Sequence, residues 1–314
     1  MYAIGVDIGG TKIAAGVVDD AGRIVAKARR DSVSLDVVAL DRAVVSVCEE
    51  LAAHYTVTAI GLAAPGFIGS DQATVKLTPN LPWRDHPLRD VVVAGLGADV
   101  PVVVVNDANA AGWAEFRFGV AQDVDDMLLL TVGTGLGGAL VVAGRLVLGA
   151  WGMGGEVGHM RVVPGGQLCG CGLRGCWEQY ASGSALVREA RAAALAEPQR
   201  AARLLDGAEG DPARITGPAV TVAAMDGDVL SRELLAEVGR WLGEGSASVA
   251  TITDPAMVVV GGGVAEAGDL LLAPARAAFA QHLSAAGYRP EVRFEVASMG
   301  NDAGIVGAAD LARS

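Results

Sequence analysis

Short apolar runs alternate with helical patterns along the whole chain. Apolar, largely β-branched runs predict buried strands, whereas apolar positions spaced by three and four residues predict amphipathic helices. Strands are predicted at residues 2–8, 13–18, 23–28, 57–63, 102–105, 127–132, 139–142, 144–147, 257–260 and 292–296. Helices are predicted at residues 35–54, 108–116, 184–205, 230–250, 268–282 and 303–311, with a mobile polar loop at 206–218. Strands that alternate with helices on this scale predict an α/β fold.

One order of strands occurs twice. Near the start, a strand ends in Asp7, a glycine turn follows, and two more strands are joined by a short turn. The same order returns from residue 127, and the tetrapeptide Gly22–Val25 of the first copy matches Gly144–Val147 of the second. The sequence therefore predicts an internal repeat, with one three-stranded unit in each of two domains.

Composition narrows the class of protein. The chain has 314 residues, enough for two domains with cores of their own, and 52% of them are apolar. No apolar run approaches the roughly 20 residues that span a bilayer, and the start lacks the charged lead and cleavage site of a signal peptide. A formal net charge of −12 argues against nucleic acid or an anionic membrane as partner. We therefore expect a cytoplasmic protein that binds small molecules.

Three of the four cysteines, Cys169, Cys171 and Cys176, lie close together, and His159 precedes them. Three thiolates and one imidazole make a complete tetrahedral ligand set for zinc. The intervening glycines suit the tight, positive-φ backbone that wraps such an ion. A disulfide framework is the less favoured alternative, because cytoplasmic thiols stay reduced.

Two carboxylates, Glu156 and Glu178, flank this cluster, and neither is needed as a zinc ligand. A closed zinc site that fixes a loop with one histidine and two acids is suited to binding a polar ligand. The alternative is a zinc knuckle that only stabilises a surface loop.

Glycine turns follow the first strand of each copy. Gly133, Gly135 and Gly138 satisfy G-x-G-x-x-G, but a strand-like segment follows instead of the helix that a dinucleotide site needs. Turns of this kind, at residues 9–12 and 133–138, can bring backbone N–H groups close to phosphate, although both can also be ordinary β-turns. The run Gly261–Gly263 after a buried strand is a third place for close backbone approach.

Asp107 lies at the end of an apolar strand, where ligands gather in α/β sheets. Transfer of a phosphoryl group to an alcohol needs a carboxylate that accepts the hydroxyl proton, and Asp107 is the best-placed candidate. The alternative is that Asn106 or Asp107 only caps the helix that follows.

Five segments together resemble the ROK family (repressors, open reading frames and sugar kinases), and within it the bacterial glucokinases. They are Asp7–Lys12, Asn106–Asn109, Gly133–Gly138, Glu156–His159 and Cys169–Glu178. The glycine turns are shared with the wider actin-like ATPase superfamily, whereas the cysteine block is highly specific. The resemblance implies a two-lobed, ribonuclease-H-like fold with the active site in the interdomain cleft. It places residues 1–112 and 300–314 in a smaller lobe and residues 113–299 in a larger one.

The resemblance also implies an activity, the ATP-dependent phosphorylation of D-glucose at its 6-hydroxyl to glucose 6-phosphate, with Mg²⁺ and a structural Zn²⁺. By it, Asp107 is the general base, and the sugar is bound by Gly66, Asn80, Asn106, Asp107, Glu156, His159 and Glu178. The nucleotide and its Mg²⁺ lie near Asp7, Gly9, Gly10, Thr11, Lys12, Gly133, Thr134 and Gly135, with the adenosine by Gly261, Gly262 and Gly263. Zinc is bound by His159, Cys169, Cys171 and Cys176.

Other functions stay open on sequence grounds. Within the class, the substrate can be N-acetylmannosamine, fructose or another hexose, and the donor can be polyphosphate. A sugar-sensing repressor needs a DNA-binding segment ahead of the first turn, and only six residues precede Asp7. A filament or chaperone ATPase would have no use for the zinc cluster and the acids beside it. We expect a homodimer or homotetramer.

Overall fold

The computed structural model describes residues 1–32, 35–97 and 100–314. The chain divides into two compact units. Unit 1 comprises Met1–Asp125, Ala139–Gly155 and Ser298–Ser314, and unit 2 comprises Asp126–Gly138 and Glu156–Ala297. This division differs from the predicted lobes in residues 113–125 and 139–155, among others, and the predicted lobe boundaries stay a prediction.

The elements follow the alternating pattern of the sequence. The strands are β1 (Tyr2–Ile8), β2 (Lys12–Val18), β3 (Ile24–Asp31), β4 (Val57–Ala64), β5 (Phe67–Ile68), β6 (Val75–Leu77), β7 (Arg84–His86), β8 (Val102–Asn106), β9 (Met127–Val132), β10 (Leu136–Val142), β11 (Arg145–Leu146), β12 (Met257–Gly261) and β13 (Arg293–Val296). The α-helices are α1 (Val37–Ala52), α2 (Leu88–Leu96), α3 (Asp107–Phe118), α4 (Gly183–Ala196), α5 (Ala202–Gly207), α6 (Gly217–Met225), α7 (Val229–Thr253), α8 (Asp269–His282) and α9 (Ala303–Leu311).

Two five-stranded sheets have the same topology. The first has the order β3-β2-β1-β4-β8, and the second has the order β11-β10-β9-β12-β13. In the first, β1 is antiparallel to β2 and parallel to β4, which is parallel to β8. In the second, β12 is parallel to both β9 and β13. The internal repeat predicted from the sequence is therefore present as a repeat of sheet order. A further small sheet, β5-β6-β7, was not predicted.

Helix α9 packs directly on the centre of the first sheet. A Cβ added to Gly5 of β1 would lie 1.8 Å from the backbone oxygen of Ile305, and one added to Gly61 of β4 would lie 1.8 Å from that of Ala308. Only glycine permits so close an approach of helix and strand backbones. The other face of this sheet is covered by buried residues of α1 and α2, such as Val44. Unit 1 therefore has the three-layer arrangement of an α/β domain.

Unit 2 is built around the 25-residue helix α7. Its glycines allow α8 to approach closely, since a Cβ at Gly239 would lie 2.4 Å from the backbone oxygen of Leu271 and one at Gly243 would lie 2.2 Å from that of Ala275. Strands β9 and β12 are buried along nearly their whole length, as expected of central parallel strands.

The predicted helix at 184–205 is wrong in one respect. It is interrupted after α4, and Glu197 leaves the helical conformation, with φ −135° and ψ 64°, immediately before Pro198, because proline disfavours the α-helical conformation of the residue that precedes it. The predicted loop at 206–218 contains the end of α5, a 3₁₀ turn over Pro212–Arg214 and the start of α6.

Among the described residues, the structure contains no helix that is both long and apolar enough to cross a membrane.

Candidate active site

Two carboxylates lie at the carboxyl-terminal edge of the first sheet in unit 1. Asp7 is in β1 and pairs in register with Ala63 of β4, which in turn pairs with Val105 of β8. Asp107 follows β8 directly and is the first residue of α3. Parallel neighbours end at the same edge, so two acids that are far apart in the sequence are brought together.

The cap of helix α3 is provided by Asn106 and not by the acid beside it. Asn106 Oδ1 accepts a hydrogen bond from the backbone N–H of Asn109 at 3.0 Å, which satisfies one of the free donors of the first turn. Asp107 Oδ1 accepts from the N–H of Ala108 at 2.9 Å, and its Oδ2 has no hydrogen-bond partner in the described part of the chain. One carboxylate oxygen of Asp107 is therefore available to a ligand.

Burial shifts both acids toward the protonated form. Burial raises the pKa of Asp107, although backbone hydrogen bonds oppose this shift. Burial, followed by the nearby negative charge of Asp107, raises the pKa of Asp7 to about 6, and the charge of Lys12 offsets part of the rise. Asp7 accepts no hydrogen bond and forms no ion pair within the described residues. A half-buried carboxylate of this kind fits a site that gains a cation together with its ligand.

Unit 1 also brings together the other predicted sugar-binding residues of this unit. Asn106 Nδ2 donates to the backbone oxygen of Gly66 at 3.0 Å. Gly66 has a φ of +93°, and a Cβ there would lie 2.3 Å from the backbone oxygen of Leu77. Asn80 is exposed on the turn that follows, and the hydroxyl of buried Thr78 holds that turn by donating to the backbone oxygen of Leu81 at 2.7 Å. Sequence reasoning missed Thr78.

A second residue missed by sequence reasoning is Asn109. Its side chain is 3% exposed, and its Oδ1 has no hydrogen-bond partner in the described chain. Asn109 and Asn106 both line a cavity of about 110 Å³ beside β8. A cavity of this size with a polar lining accommodates a few ordered waters, which would satisfy the amide.

The first glycine turn is closed by a hydrogen bond from the N–H of Gly9 to the backbone oxygen of Lys12 at 2.9 Å. A Cβ at Gly10 would meet nothing within 4 Å, and Thr11 is exposed. The turn is open on its outer side, which is compatible with the predicted approach of a phosphate.

In unit 2, the second glycine turn is fixed against the start of α4. The N–H of Gly183 donates to the oxygen of Gly133 at 2.8 Å, and the N–H of Ser184 donates to that of Thr134 at 3.3 Å. A Cβ at Gly133 would meet nothing within 4 Å, whereas one at Gly135 would lie 2.8 Å from Glu178 Oε2. The turn therefore lies directly against one of the two predicted acids of the cysteine loop.

The four predicted zinc ligands converge. Their ligand atoms all lie within 4.8 Å of one another; Cys169 Sγ is 3.7 Å from His159 Nδ1, and Cys171 Sγ is 3.6 Å from Cys176 Sγ. Tetrahedral zinc with ordinary bond lengths places neighbouring ligand atoms about 3.5–3.8 Å apart. All four cysteines of the chain are free thiols, so no disulfide competes for the cluster. These residues fit a closed structural zinc site, in which Nδ1, the His159 nitrogen that faces the thiols, would be the ligand atom.

Glycines and one tryptophan fix the cysteine loop. Gly172 and Gly175 have positive φ, as predicted, but Gly170 does not. Buried Trp177 donates from Nε1 to the backbone oxygen of Trp241 in α7 at 2.8 Å, and its ring lies over Gly245, where a Cβ would be 2.1 Å from Cε2. The loop is therefore anchored to the longest helix of unit 2.

The two predicted acids of unit 2 lie on the same support as the zinc ligands. Glu178 Oε1 accepts from Cys169 Sγ at 2.8 Å. Glu156 precedes the 3₁₀ turn Val157–His159, and its backbone oxygen accepts from the N–H of His159 at 3.1 Å. The close fit of Gly158 against the oxygen of Leu136, where a Cβ would be 1.9 Å away, fixes that turn on β10.

A large pocket of about 900 Å³ lies in unit 2. It is lined by parts of α4 and α6, by Gly133 and Thr134 of the second glycine turn, and by the segment from Gly263 to Glu266. Of the predicted glycine run, Gly263 lines the pocket, while Gly262 has a φ of +88° and lies against Val132, where a Cβ would be 2.5 Å from the backbone oxygen. Sequence reasoning found the glycines but missed both helical walls.

Comparison with known proteins shows which family has this architecture. The ROK family profile matches residues 3–314. The glucokinase of Streptomyces coelicolor is 44% identical over 310 residues, which cover 99% of this chain and 97% of that enzyme. The N-acetylmannosamine kinase of Escherichia coli O157:H7 is 35% identical over 324 residues, with 100% and 99% covered. The crystal structure of a ROK family glucokinase from Streptomyces griseus in complex with glucose and AMPPNP superposes with a TM-score of 0.89 at 45% identity, covering 100% and 99% of the two chains.

The chain therefore belongs to the ROK family. The predicted family and the α/β fold of the actin-like ATPases are both confirmed. The roles assigned to individual residues stay predictions, to which the geometry of each unit adds physical support.

Proposed function

We propose that this protein transfers the γ-phosphoryl group of ATP to the 6-hydroxyl of D-glucose, giving glucose 6-phosphate and ADP. The enzyme class, a hexose kinase, is confirmed by the similarity to curated glucokinases and to a ROK glucokinase structure. Glucose as the substrate, the 6-hydroxyl as the acceptor and the residue roles are the proposal. The observation that carries it is the unpartnered carboxylate oxygen of half-buried Asp107 at the edge of the first sheet.

In the proposed mechanism, Asp107 Oδ2 accepts the proton of the sugar hydroxyl as its oxygen attacks the γ-phosphorus. The bond from that phosphorus to the bridging oxygen breaks, and ADP leaves with the electron pair. The raised pKa of Asp107 suits this role, because a more basic carboxylate is a stronger proton acceptor. Asn106 and Gly66, which are hydrogen-bonded to each other, position the sugar beside it.

The acids of unit 2 and His159 bind the remaining hydroxyls. Hydrogen bonds from sugar hydroxyls to carboxylates are charge-assisted and worth about 1.5–3 kcal/mol each. His159 Nδ1 faces the cysteines, and by this proposal Nε2 is the ring nitrogen that binds the sugar. A zinc ion in this cluster would supply structural rigidity only, because the four ligands leave no coordination position open.

Nucleotide binding involves both glycine turns and the pocket of unit 2. Exposed backbone at Gly10 and Gly133 suits phosphate oxygens, since an added Cβ at either position would meet only open space. Asp7 is the residue that would hold Mg²⁺, which neutralises charge on the phosphates when bound. The large, mostly apolar pocket favours a nucleoside triphosphate over linear polyphosphate as donor, because polyphosphate has no apolar group to bury.

The test is an enzyme-coupled assay of ADP release with glucose, mannose, fructose and N-acetylmannosamine. Each sugar is offered with ATP, and in parallel with polyphosphate under a direct assay of the sugar phosphate. We expect the highest kcat/KM for glucose with ATP, and ³¹P–¹H coupling in the product to place the phosphate on C6. A preference for N-acetylmannosamine, or turnover with polyphosphate alone, would replace the substrate or donor named here. Sugar binding without any turnover would indicate a sensor.

A further inference from the structure

The floor of the large pocket in unit 2 contains one polar side chain. Of the lining residues, only Thr221 and Val264 are buried, at 6% and 5% exposure. The others, including Val222 and Met225 of the same helix, form the more exposed walls and rim. Whatever fills the pocket therefore meets the hydroxyl of Thr221 in an otherwise apolar setting.

The hydroxyl of Thr221 lacks the backbone partner that several hydroxyl residues inside helices of unit 2 have, and in this it resembles buried Ser246 of α7, which does not line the pocket. In α7, the hydroxyls of Ser248, Thr251 and Thr253 donate to the backbone oxygens four residues earlier, at 2.9–3.2 Å. For Thr221 that acceptor would be Gly217, and no such bond is present. The Thr221 hydroxyl has no hydrogen-bond partner anywhere in the described chain. On the floor of the pocket, a hydroxyl without a protein partner is available to a ligand, which gains a hydrogen bond by supplying the partner atom.

The two arginines around the pocket are engaged elsewhere, and the third charged residue, Glu266, is exposed at its rim. Arg188 donates to the backbone oxygen of Gln179 at 2.7 Å, and Arg191 donates to that of Ile215 at 2.9 and 3.2 Å. Both guanidinium groups thus tie α4 to neighbouring backbone. The pocket beyond them is lined by side chains such as Val187 and Leu195. This setting suits a flat aromatic ring with polar atoms on one edge, the chemistry of a nucleobase.

We propose that the Thr221 hydroxyl forms a hydrogen bond with the 6-amino group or N7 of the purine of the phosphoryl donor and so contributes to the choice of donor. The inference rests on the proposed function for the presence of a nucleotide in this pocket. The phosphates are assigned to the glycine turn at Gly133 and Thr134, which leaves the α4 and α6 end of the pocket to the base. Thr221 is a specificity residue by this account and takes no part in the chemical step.

The test compares Thr221→Val, which removes the hydroxyl at constant shape, with Thr221→Ser, which keeps it. Thr251→Val is the matched control, because its hydroxyl already has a backbone partner and lies outside the pocket. We expect Thr221→Val to raise the Kd for ADP and the KM for ATP about 3- to 10-fold, the range for one neutral hydrogen bond, with kcat and the glucose KM unchanged. Thr221→Ser and Thr251→Val should bind ADP like the unaltered protein.

A thermodynamic cycle with analogues identifies the contact. Binding of inorganic tripolyphosphate, which has no base, should be the same with and without the Thr221 hydroxyl. ATP is compared with purine riboside triphosphate, which lacks the 6-amino group, and with 7-deaza-ATP, which lacks N7. One of these two analogues should bind the unaltered protein and Thr221→Val with nearly equal affinity, because it lacks the partner atom. A loss of equal size for all three analogues would contradict contact with the 6-amino group and N7, and an equal loss for tripolyphosphate would contradict any contact with the base.

Melting temperatures distinguish a role of the Thr221 hydroxyl in nucleotide binding from a purely structural role. Without nucleotide, Thr221→Val should melt at or above the temperature of the unaltered protein, and only the ADP-induced rise should shrink. A lower melting temperature with an unchanged ADP-induced rise would assign the hydroxyl to folding and overturn the proposal. If the unaltered protein binds no nucleotide, the inference on Thr221 and the proposed function both fail. If it binds ADP and Thr221→Val binds equally well, only the assignment of Thr221 fails.

Discussion

The two sheets share one strand order but carry different chemistry at the same edge. In unit 1, β1 contributes Asp7 and β8 is followed by Asp107. In unit 2, the matching position of β9 is Thr131, which pairs with Gly261, and β13 is followed by Ala297. One copy of the topology therefore offers two acids, whereas the other offers backbone and small side chains. Topology fixes where a ligand can approach, and the residues at the strand ends decide whether chemistry or binding takes place there.

The units also differ in how they hold their functional side chains. In unit 1 the acids are fixed by the regular sheet and by α9, whose backbone touches the strands at Gly5 and Gly61. In unit 2 the acids Glu156 and Glu178 lie on irregular chain that is fixed by 3₁₀ turns, by Trp177 and by the cysteine cluster. Irregular backbone has few hydrogen bonds of its own, so a metal has more to contribute there.

The largest effect is expected for Asp107, at the edge of the first sheet in unit 1. Asp107→Asn should lower kcat by about 10²–10⁴, the range for loss of a general base, and leave glucose and nucleotide binding nearly unchanged. Steady-state kinetics and calorimetry measure the two quantities separately. The exposed variant Asp20→Asn serves as a control with normal turnover. Near-normal kcat in Asp107→Asn would remove the catalytic difference between the two sheets.

Next in size is the effect expected from disrupting the proposed zinc site in unit 2. Cys171→Ser should abolish stoichiometric zinc, raise the KM for glucose about tenfold or more, and lower the melting temperature, with a smaller effect on ADP affinity. Metal content is measured by mass spectrometry. Cys48→Ala in the core of unit 1 is the control, because it should lower the melting temperature without changing zinc content or the glucose KM. A kcat that followed the Lewis acidity of cobalt or cadmium at this site would contradict a structural role.

Smaller effects are expected from alanine substitutions in the second glycine turn, and they should differ between Gly135 and Gly133. A methyl group at Gly135 would press on Glu178 Oε2, whereas one at Gly133 would meet no protein atom within 4 Å. Gly135→Ala should therefore raise the glucose KM several-fold through displacement of Glu178, and Gly133→Ala should act mainly on the KM for ATP. Initial-rate kinetics with each substrate varied in turn measure both. Identical effects of the two variants would mean that the turn does not couple to the acid.

The smallest effect is a shift along the pH axis. Because burial raises the pKa of Asp107 and of Asp7, the latter to about 6, protonation sets in at higher pH than for ordinary carboxyls. A protonated base is inactive, so kcat/KM should fall as the pH decreases, with an apparent pKa that belongs to the coupled pair and lies well above the usual value of 3.8. A pH–rate profile in a stable buffer series measures it. A profile that stays flat down to about pH 4.5 would contradict this assignment.

The sequence by itself determined the features whose physics is local. A buried strand that ends in an acid, a glycine turn between strands and three closely spaced cysteines are each recognisable from a few neighbouring residues. Their order along the chain predicted Asp107, the zinc ligands and the repeated sheet. The same local reasoning found the glycines at Gly172 and Gly175, where positive φ is required.

Tertiary structure alone decided which distant residues share a site. Thr78, Asn109 and Thr221 are ordinary polar residues in the sequence, and only the folded chain buries the amide oxygen of Asn109 without a partner and places Thr221 on the floor of a pocket. The helical walls of the large pocket of unit 2 are joined by Arg191 on α4, which donates to the backbone oxygen of Ile215 just before α6, 24 residues away. Whether a polar group is satisfied depends on every neighbour in space, and a linear pattern does not contain that information.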